Sequence, residues 1–373
     1  GAQKPLLGLV MIVKDEAHWV AKGLAKIAPF IDYWCILDTG STDGTQDLIK
    51  EALKDVPGQL YQEPFIDFGA SRNRVLALAG ENAVFVVTLN ADDFVCNGAQ
   101  LRAFCEHHRD HHAATYMVLR TDATQACDYY CRRLIRTSAH KRFVGKTHEY
   151  LDDFSEHIVP DVAIFFDPPT FDGERKKRAW ERDLKILSDD YDNDPTNTRT
   201  VFYLAQTYEC LGILPEAFKF YAIRAAMGGW REEHFEALYR KARVSYYLKK
   251  PFTQTLEYYL DAYNFSQHRA EPLYELANIY LERKNYSLAY MYGVHAARIP
   301  FPPQDWLFVQ RNVYTYKMYD LLGIVSWYIG EYEMGERALK KALEQYPNDQ
   351  HLLSNLQFYS DRKKNMVQDK QPS

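Results

Sequence analysis

Five polar clusters in the first 150 residues carry side chains suited to holding a phosphorylated ligand or a metal ion. The first apolar run ends in Val13-Lys14-Asp15-Glu16, and the second in Leu37-Asp38-Thr39-Gly40-Ser41-Thr42-Asp43-Gly44-Thr45. Carboxylates on a glycine-containing turn can accept hydrogen bonds from ribose hydroxyls or base N–H groups, while glycine lets a ligand approach the backbone. The plain alternative for Asp38 and Asp43 is helix capping in a tight turn. In Asp67-Phe68-Gly69-Ala70-Ser71-Arg72-Asn73, Arg72 stands near a predicted helix start, where its fork of donors suits a diphosphate. A surface ion pair with Asp67 is the competing role.

The most hydrophobic strand candidate, Val86 to Leu89, runs directly into Asn90-Ala91-Asp92-Asp93. Acidic groups at the end of a buried strand are costly unless something neutralises them. A hard divalent ion held by one or two carboxylates and substrate phosphates fits that need, with an N-cap as the alternative for Asp93. The last cluster, Arg142-Phe143-Val144-Gly145-Lys146-Thr147-His148-Glu149-Tyr150, offers His148 as a metal or phosphate ligand and Glu149 as a general base. A His-Glu pair alone is more often structural.

The elements that position these clusters follow from the apolar pattern. Strands are predicted at Leu6 to Val13, Tyr33 to Leu37, Gln59 to Gln62 and Val84 to Leu89. Helices are predicted between them, over His18 to Phe30, Gln46 to Leu53 and Ala70 to Ala79. That order implies a parallel sheet with helices on its faces, whose ligands sit at the carboxyl ends of the strands. A helix after Asn97 and strands at Thr115 to Arg120, Tyr129 to Arg136 and Ile158 to Phe166 suit an antiparallel extension. Pro168-Pro169 and Asp172-Gly173 are turn chemistry and mark the expected end of the first domain.

From Glu174 the pattern becomes helical. Leu204-Ala205, Tyr208, Gly212, Ala217 and Tyr221 overlay on Leu276-Ala277, Tyr280, Asn285 and Ala289. A third copy holds Leu322-Gly323, Tyr328, Gly330, Gly335, Ala338, Ala342 and Pro347. Small residues at helix crossings, an aromatic a turn later and a Gly or Asn at the bend match tetratricopeptide repeats. Trp230 to Gln267 reads as a degenerate copy, and the uneven spacing predicts insertions. An irregular helical bundle is the alternative, and the polar tail after Lys363 is expected to fray.

Composition narrows the class. The 373 residues suffice for two domains, and a formal net charge of -5 gives no support to nucleic-acid binding. No apolar run is long enough for a membrane span, and no secretory leader is evident. The six cysteines are scattered, so a reducing, cytoplasmic setting is expected. Cys105 beside His107, His108, His111 and His112 reads as a solvated helix face rather than a zinc site.

Taken together, Met11 to Glu16, Asp38 to Thr45, Phe68 to Asn73, Asn90 to Asp93 and Gly145 to Tyr150 resemble the GT-A inverting glycosyltransferases of the family-2 type. Arg199 to Gly212 and Met227 to Glu233 resemble the branch that carries tetratricopeptide repeats. The resemblance covers most of the chain. It implies a Rossmann-like mixed-sheet GT-A catalytic domain over residues 1–172 and an all-α repeat domain over 173–373. It further implies a nucleotide-sugar donor, usually a UDP-sugar, and a glycan or protein acceptor. Asp15 or Glu16, Asp38 and Asp43 would hold the nucleoside and Arg72 the diphosphate. Asp92 matches the second carboxylate of the family's DxD motif, which binds Mn²⁺ or Mg²⁺. Asn90 departs from that motif's first position; Asp93 is the nearby carboxylate to compensate, and His148 would face metal or diphosphate. Glu149 is the base expected by position. A scaffold that has lost catalysis is the alternative, supported by Asn90; a nucleotidyltransferase would want a glycine-rich basic loop where Lys14-Asp15-Glu16 stands. The repeats would present a groove to an acceptor or partner, or a dimer face.

Overall fold

The computed structural model describes residues 3–122, 128–166 and 173–369. They divide into two compact units, one reaching Asp189 and the other running from Asp190. The turn at Pro168 to Asp172 lies outside the described residues.

The first unit is a mixed α/β sheet domain. Its elements are β1 (Leu7–Val13), α1 (Val20–Ile27), β2 (Tyr33–Asp38), α2 (Thr45–Ala52), β3 (Gly58–Gln62), α3 (Phe68–Ala79) and β4 (Phe85–Thr88). There follow β5 (Asp93–Cys96), α4 (Gly98–His107), β6 (Thr115–Asp122), β7 (Tyr129–Arg136), β8 (Phe143–Val144), β9 (Tyr150–Leu151) and β10 (Ile158–Phe166). Eight strands form one sheet in the order β3-β2-β1-β4-β7-β6-β10-β5, and β8 pairs with β9 separately. The strands β1 to β4 are mutually parallel where they pair, while β7 runs antiparallel to β4 and to β6.

The near-continuous apolar runs of β1, β2 and β4 are what a sheet covered on both faces requires. One face packs Leu7, Leu9, Met11, Ile36, Phe85 and Val87 against α1 and α4 residues such as Leu24 and Leu101. The other packs Val10, Cys35, Leu37 and Val86 against Val75, Leu76 and Ala79 of α3. The sheet order places the carboxyl ends of β1, β2 and β4 side by side, so three of the five polar clusters meet at one edge. Strand β5 and the β8–β9 pair are additions to the expected elements.

A long helix, α5 (Gly173–Asn193), belongs to the first unit as far as Asp189. The second unit is all-helical and tetratricopeptide-like. Four antiparallel hairpins are formed by α6 (Thr198–Cys210) with α7 (Leu214–Ala225), α8 (Arg231–Tyr247) with α9 (Phe252–Phe265), α10 (Glu271–Glu282) with α11 (Tyr286–Ala297), and α12 (Met318–Ile329) with α13 (Tyr332–Gln345). A closing helix, α14 (Gln350–Asp369), continues past Lys363, where fraying is expected. The overlay of small residues has a direct cause. A Cβ on Gly323 would meet Leu339 Cδ2 at 2.4 Å, and one on Gly335 would meet the Tyr359 hydroxyl at 2.0 Å. The degenerate copy is the α8–α9 hairpin, and the expected insertion lies between α11 and α12.

Candidate functional site

At the carboxyl edge of β1 and β2, two loops are stitched together by reciprocal bonds. The Asp15 amide donates to Ser41 Oγ (2.8 Å), and Asp15 Oδ1 accepts from the Thr42 amide (2.8 Å). The Glu16 amide donates to Thr45 Oγ1 (2.9 Å), and Asp43 Oδ2 accepts from the Ala17 amide (3.1 Å). Asp43 also accepts from the Thr45 amide and hydroxyl, so it anchors the start of α2 as well. Asp15 takes a left-handed backbone, φ 52°, an uncommon state for a side-chain-bearing residue that clusters at ligand sites. The carboxylates of Asp15 and Asp43 thus shape the loops directly.

Asp38 closes β2 and is fully buried. Its Oδ1 accepts from the amides of Gly40 (2.9 Å) and Ser41 (2.8 Å) and from Gln46 Nε2 (3.2 Å). Burial works to raise its pKa, but the Ser41 hydroxyl, together with these amide and Gln46 bonds, outweighs it and holds the carboxyl below its ordinary value. Its Oδ2 is buried with no hydrogen-bond partner among the described residues.

Arg72 lies in the first turns of α3, whose N-terminus is capped by Asp67 accepting from the Ala70 amide (2.7 Å). The guanidinium joins two other clusters: Nε donates to Glu149 Oε1, and Nη2 donates to Asn90 Oδ1 (3.0 Å). The turn between β8 and β9 presses on α3 so closely that a Cβ on Gly69 would lie 2.0 Å from the Gly145 carbonyl. Asn73 exchanges hydrogen bonds with the backbone of Phe143 on both sides. These contacts bring Glu149, distant in sequence, onto Arg72. Burial pushes Glu149 up, but the Arg72 charge and hydrogen bond bring it below the ordinary glutamate value.

The acidic strand end divides by role. Asp93 is buried and paired with Arg133 (3.3 Å) and Arg120 (3.6 Å), and it accepts from the Asn90 amide (2.8 Å). Its charge is therefore engaged inside the sheet, where it balances two guanidiniums. Asp92 is half-buried, and burial followed by the charge of Asp93 raises its pKa. Glu16 is raised to about 7, chiefly by burial, with Asp92 and Asp43 pushing the same way and Arg175 opposing.

Arg175 and Asp183, both in α5 and outside the five clusters, also reach this edge. Arg175 pairs with Glu16 (2.8 Å). Asp183 Oδ1 accepts from Thr147 Oγ1 (3.0 Å), and its Oδ2 lies 3.9 Å from His148 Nε2. Burial, and the nearby Glu149 charge to a lesser extent, raise Asp183 despite the Thr147 hydrogen bond and Arg182. His148 also has a left-handed backbone, φ 48°. Nothing in the sequence marks Arg175 or Asp183, which sit in a strongly charged helix with no turn or strand end beside them.

For a divalent ion, the donor set is uneven. Asn90 Oδ1 already accepts from Arg72, Asp93 is engaged by arginines, and His148 lies beside Asp183. Among the described residues no three His, Cys, Asp or Glu side chains are gathered to hold a metal. Asp92 is the carboxylate of the cluster that could serve one, raised by burial and the Asp93 charge with Arg120 and Arg133 opposing. At the histidine-rich end of α4, Cys105 is buried, and His108 stacks on Phe104 with Nδ1 on the Phe104 carbonyl (2.8 Å).

No protein-family model matches the chain. A TPR repeat-containing protein of Synechococcus elongatus is 30% identical over 155 residues, which is 41% of this chain and 37% of that protein. The match thus spans little more than a third of that relative's length. Among solved structures, one of MamA is similar over 47% of this chain and 94% of its own (17% identity, TM-score 0.38). The C-terminal part of a TPR repeat-containing protein from Cytophaga hutchinsonii is similar over 48% of this chain and 64% of its own (15% identity, TM-score 0.38). Among the described residues no helix is long and apolar enough to cross a membrane.

Proposed function

We propose that the sheet domain is a nucleotide-sugar-dependent glycosyltransferase, moving a sugar from a UDP-sugar to a glycan or peptide hydroxyl with inversion. The observation that carries this reading is Asp38 Oδ2, a buried acceptor at the carboxyl edge of the sheet with no hydrogen-bond donor in place among the described residues, the Ser41 hydroxyl being the nearby side chain that acts on this carboxyl. A buried carboxylate oxygen left without a partner is costly, and a base N–H or ribose hydroxyl supplies one. Arg72 supports the reading, because a fork held between Asn90 and Glu149 needs no reordering before it meets a diphosphate. Asp15, Glu16 and Asp43 form the wall beside it.

In this reading the acceptor oxygen attacks the anomeric carbon while a carboxylate takes its proton. The bond from that carbon to the diphosphate breaks, and its electron pair leaves with the phosphate. Glu149 would take that proton, with Asp183 a second carboxylate beyond Thr147 and His148. Asp92, with the donor's phosphates, would hold Mn²⁺ or Mg²⁺, which offsets charge developing on the leaving group.

The test is thermal shift and calorimetry with UDP and a panel of UDP-sugars, each with and without Mn²⁺. Wild-type protein should bind UDP, and Asp38→Ala should weaken binding at least tenfold. Glu149→Gln should keep donor binding and lose transfer. A second reading, a scaffold without catalysis, is favoured by Asn90 standing where an acid is expected and already accepting from Arg72. Failure of every UDP-sugar to bind would select it.

A further inference from the structure

Between α11 and α12 a helical turn, Val313–Lys317, leads into α12, and the fifteen residues before it, Arg298 to Asn312, compare with two to five in the other connections within the array. Connections in helical bundles are usually that short. The extra length is laid against the face formed by α6, α8 and α10. These are the first helices of successive hairpins, which line one continuous surface in a stacked array.

The segment is held there as an extended ligand would be. Glu232, at the start of α8, accepts from two successive amides, those of Trp306 (2.5 Å) and Leu307 (2.9 Å). Asp305 is pinned by His268 (2.9 Å) and Arg269 (3.2 Å), both just before α10. The Phe308 ring stacks on Phe202 of α6, with centroids 6.2 Å apart, and the Arg240 guanidinium lies 4.5 Å from its centroid. Gln310 donates to the Tyr239 hydroxyl (3.0 Å). The start of α8 thus holds the segment's backbone, the turn before α10 its acidic side chain, and α6 with α8 its aromatic ring.

Phe308 adopts φ 53°. A bulky residue in the left-handed region is an outlier that its surroundings must enforce, and such strain gathers at ligand clamps and switches. The Gly-Gly-Trp-Arg-Glu-Glu stretch before and into α8, which the sheet-domain chemistry leaves without a role, is what delivers Glu232 to this position.

We propose that residues 304–310 are a built-in ligand that occupies a peptide groove of the repeat array. With the strap displaced, the groove takes an extended peptide presenting an acidic residue three positions before an aromatic, the Asp305…Phe308 pattern. The proposal is independent of the activity proposed for the sheet domain. It makes the array a binding module whose resting state is self-occupied, so partner affinity is reduced by the fraction of time the strap is seated.

The test uses full-length protein and a fluorescent synthetic peptide of residues 302–312, followed by polarisation. The Asp305→Ala/Phe308→Ala variant loosens the strap and should bind the peptide at least tenfold more tightly than wild type. Adding Glu232→Ala to that variant should remove the gain. Equal binding by wild type and the loosened variant would overturn the proposal. Should the variant fail to fold, native-state hydrogen exchange on wild type decides. The Trp306 and Leu307 amides should exchange at least tenfold faster than central α8 amides. Exchange of all of them together would make the segment a fixed part of the fold and end the idea.

Discussion

Removing Arg72 should disturb the sheet domain well beyond the loss of one surface charge. The Arg72 side chain is 13% exposed and that of Glu149 12%, so the pair is largely withdrawn from water. Breaking a buried pair by deleting one partner costs about 3–5 kcal/mol, because the remaining charge keeps its desolvation penalty. The slight exposure here brings the expected cost of Arg72→Ala to about 3 kcal/mol. Asn90 Oδ1 also loses its donor. Glu149→Gln removes the charge but keeps an acceptor, and should cost about 1–2 kcal/mol. The double variant should then cost less than the sum by about 1–2 kcal/mol, since no carboxylate is left stranded. Two compact units forbid reading one global transition as two-state. The assay is therefore native-state hydrogen exchange at Val86 and Val87 of β4, which reports opening of the sheet itself. The coupling should fade as pH falls through the depressed Glu149 value, because its stabilisation is present above the ordinary glutamate range and lost on protonation. Strict additivity of the two substitutions, or a cost for Arg72→Ala under about 1 kcal/mol, would refute the argument from burial.

Two further outcomes follow from the same edge of the sheet. Glu16 is raised from 4.5 to about 7, so its folded form holds a proton more tightly than its unfolded form. Its contribution to stability is full below pH 4.5 and is lost as pH rises through about 7. Glu16→Gln should match wild type near pH 4.5 and exceed it by about 1–3 kcal/mol at pH 8. Hydrogen exchange at the same β4 amides across that range checks it, and a difference independent of pH would count against it. Asp93→Asn removes the carboxylate charge beside Arg120 and Arg133, which keep Tyr129, Cys131 and the Thr88 carbonyl as partners, and should cost about 1–3 kcal/mol. Wild-type exchange at the Val86 and Val87 amides would show that those partners suffice.

The fold was legible wherever burial imposes a pattern over several residues. The strands β1, β2, β4, β7 and β10 fall on the apolar runs that predict them, and the small residues that mark the repeats sit at crossings where a methyl group would collide with Leu339 or Tyr359. Strand β5 was hidden because its four residues begin inside the acidic cluster. The β8–β9 pair was hidden because two residues a side carry no periodicity. The site was legible in the same local way. Motifs at strand ends mark the edge where ligand chemistry is sought, and the parallel order brings β1, β2 and β4 together there.

Pairing is what a linear reading cannot deliver. Asp93 resembles a spare catalytic acid until β6 and β7 bring Arg120 and Arg133 to it, and Glu149 resembles an isolated base until the β8–β9 turn lays it on Arg72. The same limit explains why Asp183 went unseen, since its meaning comes from Thr147 and His148 thirty-six and thirty-five residues earlier. It explains the strap too. An insertion between helices can be counted from sequence, but only the array's own side chains reveal that it is held like a ligand. Charge types announce where chemistry is possible; their partners determine which of those charges remain available for it.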